Sequence, residues 1–213
     1  IRHLLTHTSG LRPGIPREEK IPVSYKDGLS WIYGCEPKAE VDTQMIYSDL
    51  NYLLLGEIVR RVSGDQLDRY AKREIWAPLQ MFQTVYRPGI LKRGRIAPTE
   101  REPGKQNFLR GTVHDPTSRR MGGVTGHAGV FGTIDDVTRF ARMTLNQGQL
   151  DGVRVLQTDT VTEMTSPQVA EGIDARGLGW DIDSWLAESP RGAKFTVGKS
   201  FGHTGFTGTM MWI

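Results

Sequence analysis

The chain has 213 residues, 24% charged and 38% hydrophobic, a composition typical of a folded globular domain and not of a disordered protein. Its formal net charge of +3 is too small and too dispersed to favour nucleic acid as a partner. The longest apolar runs are far shorter than the roughly 20 residues that cross a membrane. Cys35 is the single cysteine, so an intramolecular disulfide is excluded.

The first strong helical pattern begins at Asp49 and ends at Ser63, before Gly64. Its apolar residues recur at fourfold spacing, which predicts a helix buried along one face; they are Leu50, Leu54, Ile58 and Val62, with Leu55 and Val59 widening the stripe. A second helix is predicted from Gln66 or Leu67 to Trp76, because Pro78 cannot continue it.

Residues 86–120 are rich in proline, glycine and basic residues, which predicts a long surface loop. Five glycines follow in the eleven residues 122–132, and Thr133 with Asp136 resembles a capping box. The next helix is predicted over about 134–146. Its predicted inward stripe is Val137, Phe140, Ala141, Thr144 and Leu145.

A short helix is predicted at 158–165, and strands at 177–182, 200–204 and 209–213. The sequence therefore predicts an α+β fold in one domain over 1–213, with a mainly helical region at 1–165 and strands of an antiparallel sheet at 166–213. The chain opens without Met and stops within a strand-like run, so we expect a piece of a longer protein whose domain is incomplete at both ends.

Three segments contain residues with catalytic chemistry. The first is Tyr47-Ser48-Asp49, a phenol and two short polar groups at the start of the first strong helix. The alternative is that Ser48 or Asp49 is only a helix N-cap and Tyr47 a surface residue. The second segment is GHTGFTGT at 202–209, which fits either a tight hairpin with a surface histidine or a substrate-binding strand edge.

The third segment is the opening LLTHTSGL at 4–11. His3 and His7 have the fourfold spacing of a zinc-binding helix, but the glutamate of H-E-x-x-H and a third ligand in register are missing. No metal and no cofactor are therefore expected. The better local interpretation is a helix that ends at Leu4-Leu5 and is followed by a polar loop.

Together, these segments resemble the serine hydrolases of the β-lactamase and penicillin-binding-protein superfamily. The matching stretches are LLTHTSGL at 4–11, YSD at 47–49 before LLLGEIVRRVSG, GGVTGHAGVFGTIDDVTRF at 122–140 and GHTGFTGT at 202–209. The resemblance covers the whole chain and is nearest to the class C β-lactamase-like branch that includes esterases and D-amino-acid peptidases. It implies a β-lactamase/transpeptidase-like fold and an acyl-enzyme mechanism.

That mechanism requires a Ser-x-x-Lys pair, in which the lysine helps to deprotonate the attacking serine. No serine of the chain has a lysine three places on, and no Gly-x-Ser-x-Gly elbow is present. In the family the nucleophile helix precedes the LLTHTSGL segment, so we expect it upstream of Ile1. Residues 1–213 alone are accordingly expected to be inactive.

The resemblance assigns catalytic roles to Tyr47, Asp49 and His203. Tyr47 corresponds to the general acid or base, whose pKa a nearby lysine ammonium can lower. Asp49 falls where β-lactamases usually carry an asparagine that donates to the substrate amide, and an ionised carboxylate cannot donate. His203 takes the place of the lysine of Lys-Thr-Gly. Both departures favour an esterase or a peptidase over a true β-lactamase.

The same strand supplies the substrate-binding candidates Thr204, Gly205 and Phe206, with the backbone N–H of Phe206 as an oxyanion-hole donor. The expected partner is a small-molecule ester or amide, with no membrane span in this segment. The alternative is a non-catalytic binding or assembly module that has retained the fold. Compartment and oligomeric state are left open by the sequence.

Overall fold

The computed structural model describes residues 1–16, 24–101, 104, 106–186 and 191–213. The chain divides into two compact units that alternate along the sequence. The first unit consists of Ile1–Pro13, Glu36–Asn51 and Thr138–Ile213, and the second of Gly14–Cys35 and Tyr52–Val137. Helices α3 and α6, defined below, each have residues in both units. The assignment of 1–213 to a single domain stays a prediction.

The first unit contains the strands of the protein's main sheet. Its elements are α1 (Arg2–Leu5), the first residues of α3 (Asp49–Ser63), most of α6 (Ile134–Leu145), β1 (Gln149–Leu150), β2 (Val153–Arg154), α7 (Thr158–Thr165), β3 (Ala175–Arg176), β4 (Asp181–Asp183), β5 (Gly202–Thr204) and β6 (Met210–Trp212). β1 and β2 form a hairpin, and β3 to β6 form an antiparallel sheet in sequence order. His203 of β5 pairs with Met211 of β6.

An aromatic cluster fills the core of the first unit. Trp180 is buried, and its ring centroid lies 6.4 Å from that of Phe140 and 5.3 Å from that of Phe201. The sheet contributes Ile182 to this core, and α6 contributes the fully buried Met143. Burying each such side chain stabilises the fold by about 1.5–3 kcal/mol. The aromatic cluster thus supports the segment between β3 and β4 and the residue before β5.

The second unit contains α2 (Tyr25–Tyr33), the rest of α3, α4 (Leu67–Ala71), a π-helical turn (Lys72–Trp76), a 3-10 helix (Ile90–Arg95) and α5 (Pro116–Arg120). The hydroxyl of Ser24 caps α2 by accepting from the N–H of Asp27. Among the described residues, no helix of either unit is both long enough and apolar enough to cross a membrane.

The glycine-rich stretch at 122–132 packs closely on α3 within the second unit. A Cβ atom placed on Gly126 would lie 2.0 Å from the carbonyl oxygen of Tyr52, a distance that no side chain tolerates. Gly56 faces the same loop, with Gly126 N only 3.1 Å from its would-be Cβ. Glycine at 126 is therefore required by a close approach of two backbones.

The predicted bounds of α3 and α7 are confirmed, and α6 ends one residue before the predicted Asn146. The buried faces were predicted less well. Val62 is 84% exposed and Leu145 61% exposed, whereas Leu53 and Met143 are buried. Leu50 and Thr144 of the predicted stripes are buried, so each stripe was correct in part and wrong at its C-terminal end; buried polar residues such as Asp136 also belong to the inward faces and have no apolar signal.

Residues 86–120 contain more regular structure than a loop. The 3-10 helix lies near their start and α5 at their end, and Arg101 forms a bridge with Phe108. Residues 102, 103 and 105 of this predicted loop lie outside the described part of the chain. The β1–β2 hairpin was also not predicted, since two-residue strands carry no periodic pattern.

Candidate active site

Tyr47 lies just before α3 in the first unit, with its phenol ring between two histidines. The ring centroid is 4.3 Å from that of His7 and 6.0 Å from that of His203. Tyr47 is 37% exposed, whereas His7 is 1% exposed. Tyr47 is therefore only partly exposed, and a buried and a half-buried imidazole lie on its ring.

A hydrogen-bond network fixes the His7 imidazole. Its Nδ1 accepts from the backbone N–H of Ser48 at 3.0 Å and lies 3.1 Å from Nδ2 of Asn51. The hydroxyl of Ser9 donates to Oδ1 of Asn51 at 2.6 Å, which directs the amide NH₂ towards His7. Because Nδ1 accepts, the proton of the neutral ring lies on Nε2.

Ser48 links the start of α3 to the loop after α1. Its hydroxyl donates to the carbonyl oxygen of Arg12 at 2.6 Å, and the N–H of Asp49 donates to the carbonyl oxygen of Pro13 at 2.8 Å. The first N–H of α3 is thus bonded to the loop rather than directed at a ligand. These bonds place Tyr47 and the half-buried Asp49 next to the LLTHTSGL segment.

His203 lies in the middle of β5 and is half-buried. Its Nδ1 donates to the carbonyl oxygen of Thr204 at 2.7 Å, which leaves Nε2 as the acceptor nitrogen of the neutral ring. The two imidazoles beside Tyr47 therefore have opposite tautomers. One presents an N–H at Nε2 and the other presents a lone pair at Nε2.

The backbone on both sides of His203 and Thr204 is tightly packed. A Cβ atom on Gly202 would lie 2.3 Å from the carbonyl oxygen of Met211, and one on Gly205 would lie 2.4 Å from Oγ1 of Thr209. The N–H of Gly205 donates to the carbonyl oxygen of Thr209 at 2.7 Å, which closes the hairpin between β5 and β6. The side chain of Phe206 at the hairpin tip is 92% exposed.

Burial controls the protonation of all three rings. It lowers the pKa of His7 to about 3 and also lowers the pKa of His203, with the Arg176 guanidinium adding to both effects. Burial raises the pKa of Tyr47, the Asp49 carboxylate raises it further, and Arg176 opposes them. Both histidines are therefore mainly neutral at pH 7, and neither contributes a full positive charge beside Tyr47.

Two charged residues on neighbouring strands complete the cluster. Arg176 on β3 is fully buried, and its Nη1 donates to Oδ2 of Asp181 on β4 at 3.1 Å. Its Cζ atom lies 5.7 Å from the centroid of the Tyr47 ring, within the range of a cation–π interaction. Among the described residues of either unit taken by itself, no three histidine, cysteine, aspartate or glutamate side chains lie close enough together to hold a metal ion.

The structure brings together Tyr47 and His203, two of the three catalytic candidates of the sequence analysis. Asp49 is close enough to Tyr47 to influence its ionisation. The expected lowering of the Tyr47 pKa depends on a lysine that would lie upstream of Ile1, and the groups of this chain raise that pKa instead. The roles of Thr204, Gly205 and Phe206 stay predictions.

Sequence reasoning missed Arg176 and Asn51, and it considered His7 only as a possible zinc ligand. Asn51 could have been considered from its position, because this polar residue lies two residues after Asp49 in the first turn of a helix with a strong apolar repeat. Arg176 directly precedes the predicted strand 177–182, but the structure places Arg176 at the end of β3 and residues 177–180 in the connection to β4, which the strand prediction did not separate.

Comparison with known proteins identifies the family. The model of the Beta-lactamase family matches residues 1–213. The chain belongs to the β-lactamase family. The resemblance inferred from its motifs is confirmed, and so is the α+β fold with an antiparallel sheet.

Two relatives illustrate the similarity within this family. An Escherichia coli (strain K12) protein named "Putative D-alanyl-D-alanine carboxypeptidase" is 34% identical over 179 residues, which are 78% of this chain and 41% of that protein. The N-acetylmuramyl-L-alanine amidase of Bacillus subtilis (strain 168) is 31% identical over 207 residues, 90% of this chain and 43% of the amidase. This family member thus spans less than half the length of either relative.

Solved structures share the fold at low sequence identity. A penicillin-binding-protein homologue from Caulobacter crescentus superposes with a TM-score of 0.74 at 18% identity, covering 99% of this chain and 61% of that one. EstCE1, described as a hydrolase with promiscuous acyltransferase activity, gives a TM-score of 0.70 at 20% identity over 99% of this chain and 62% of its own.

Proposed function

We propose that the protein is a serine hydrolase that cleaves an ester or amide of a small substrate through an acyl-enzyme. The observation that carries this proposal is the Tyr47 phenol held between two neutral imidazoles in a chain of the β-lactamase family. A phenol in this setting can exchange a proton with a nucleophile and a leaving group without competition from a nearby histidine cation.

The proposed roles divide the chemistry among few residues. A serine of a Ser-x-x-Lys pair outside residues 1–213 attacks the substrate carbonyl carbon, and its hydroxyl proton passes to the Tyr47 phenolate. The Tyr47 phenol then gives that proton to the leaving group as the bond between the leaving group and the carbonyl carbon breaks. In deacylation the Tyr47 phenolate takes a proton from the attacking water and returns it to the serine oxygen as the acyl–serine bond breaks. The backbone N–H of Phe206 would stabilise the oxyanion.

The substrate preference follows from His203 and Asp49. A neutral His203 supports recognition of a substrate by hydrogen bonding more than by attraction of its carboxylate. Asp49 lacks the donor that an asparagine would offer to a β-lactam side-chain amide. The names of the carboxypeptidase and the amidase favour amide substrates, and the name of EstCE1 adds esters. We therefore place ester and peptide amide bonds ahead of β-lactams.

The test uses the protein expressed from its complete reading frame. A fluorophosphonate probe should phosphonylate it stoichiometrically with release of fluoride, at a serine followed three residues later by lysine. Tyr47→Phe should slow this labelling on the order of 100-fold, and the matched control Tyr33→Phe, at an exposed tyrosine of the second unit, should leave the labelling rate unchanged. A complete reading frame without a Ser-x-x-Lys pair, together with no labelling by the probe, would establish the binding-module alternative.

A further inference from the structure

Arg176 is a buried cation with few hydrogen-bond partners. It pairs with Asp181 across the β3–β4 ladder, and one of its nitrogens donates to that carboxylate. Among the described residues, Nε and Nη2 of the same guanidinium have no acceptor. Burying a charge with unpaired N–H groups opposes folding. Stability alone therefore does not account for an arginine at this position.

Asp181 fixes the orientation of this guanidinium. Its Oδ2 accepts from the hydroxyl of Ser184 at 2.6 Å, and its Oδ1 accepts from the N–H of the same serine at 3.1 Å. With Arg176 as a third donor, the carboxylate is held from three directions. The guanidinium is consequently fixed on the strand pair, and its Cζ lies 5.7 Å from the centre of the Tyr47 ring.

Five described side chains with ionisable groups act on or face the Tyr47 phenol. Two are imidazoles that burial keeps neutral at pH 7, and two are carboxylates, which favour the protonated phenol. The fifth, the Arg176 guanidinium, favours the phenolate. These side chains are His7, His203, Asp49, Asp181 and Arg176.

We propose that Arg176 is a positioning residue for Tyr47, holding the phenol ring through a cation–π contact and favouring its phenolate form. The inference rests on the proposed role of Tyr47 in proton transfer. It assigns to the β3–β4 strand pair a function in setting the pH at which the enzyme works. Asp181 has two opposing effects, since it fixes the guanidinium and partly neutralises its charge.

The experiment titrates Tyr47 directly in the full-length protein. Ring-labelled ¹³C-tyrosine NMR follows its phenol, and the Tyr47 signal is assigned by its loss in Tyr47→Phe. Arg176→Met, which removes the charge and retains an unbranched chain, should raise the titration midpoint by about one pH unit. Asp181→Asn should lower the midpoint, because it removes an anion and leaves the guanidinium. Arg176→Lys, which retains the positive charge, should keep the midpoint close to that of the unmodified protein.

The same variants are then assayed for hydrolysis between pH 5 and 10. In Arg176→Met, the part of the kcat/KM against pH profile that reports the ionisation of Tyr47 should move along the pH axis by as much as the NMR midpoint does. The KM should stay within about twofold of the value for the unmodified protein. An unchanged NMR midpoint in Arg176→Met overturns the inference. If the Met variant fails to fold, Arg176→Gln, which also removes the charge, takes its place, and an unchanged midpoint there overturns the inference equally. A shifted midpoint with activity that survives Tyr47→Phe instead supports the electrostatic role of Arg176 and refutes the proposed function of Tyr47.

Discussion

His7 should make the stability of the protein fall as the pH is lowered from 7.5 to 5.0. Its pKa is about 3 in the folded protein, against an ordinary value of 6.5 that the unfolded chain would show. Below pH 6.5 the unfolded state therefore binds a proton that the folded state excludes, so the free energy of unfolding decreases. At pH 5.0 the loss is about 2 kcal/mol, and it grows until the pH passes the folded value.

Substituting His7 with asparagine isolates this effect. Asparagine offers a side-chain oxygen near the position of Nδ1, so the N–H of Ser48 retains an acceptor. The backbone at position 7 has φ of +61°, a conformation that asparagine adopts more readily than most residues. At pH 7.5 the variant should lose about 1 kcal/mol through the missing ring contact with Tyr47.

The measurement is urea unfolding followed by tryptophan fluorescence at pH 7.5 and pH 5.0. The decrease in unfolding free energy between the two pH values should be smaller by about 2 kcal/mol in His7→Asn than in the unmodified protein. Ser9→Ala is the matched control, because it weakens the network at Asn51 without removing a titrating group. Equal pH dependence in His7→Asn and the unmodified protein would refute the neutral, buried state of His7.

Three further predictions concern catalysis and packing. Tyr47→Phe should lower kcat on the order of 100-fold or more with an unchanged circular dichroism spectrum, and a folded, fully active variant would assign proton transfer to another group. The full-length protein should hydrolyse p-nitrophenyl acetate with a higher kcat/KM than a chromogenic cephalosporin, owing in part to His203, and the reverse order would contradict this. Gly126→Ala should lower Tm by several degrees because its methyl group meets the Tyr52 carbonyl, whereas Gly89→Ala, with nothing within 4 Å, should not; equal Tm values would disprove the close approach.

Regular elements with strong periodicity could be predicted from the sequence, but their buried faces could be predicted only in part: Leu50 and Thr144 are buried as expected, whereas Val62 and Leu145 are exposed. The bounds of α3 follow from its apolar repeat and from Gly64. Its face differs because Glu57 is buried in bonds from Arg60 and Arg61, which a count of apolar residues cannot anticipate. Similarly, the carboxylate of Asp136 accepts from Gln83 and Thr84 on a distant segment, beyond the predicted local cap.

The residues of the candidate site, too, could be predicted from the sequence only in part. Tyr47 and His203 could be predicted because they lie in short motifs that a family resemblance can match. Arg176 could not, since its importance arises from contacts with residues 129 positions earlier and five positions later, and neither spacing is periodic. The burial of Arg176 and its contacts depend on residues that only folding brings together. Periodicity in the sequence detects regular spacing along the chain and therefore cannot reveal them.

The glycines that flank His203 and Thr204 restrict which positions of this segment can be substituted. A side chain at 202 would collide with the backbone carbonyl oxygen of Met211, so that position is closed to substitution, whereas one at 205 would require the Thr209 side chain to move. Under the proposed function, a library aimed at new substrates therefore varies 203 and 204, whose side chains are half-buried, and 206, whose side chain is in solvent. Substitutions at these three positions leave the backbone contact at Gly202 intact, so the hairpin should keep its shape.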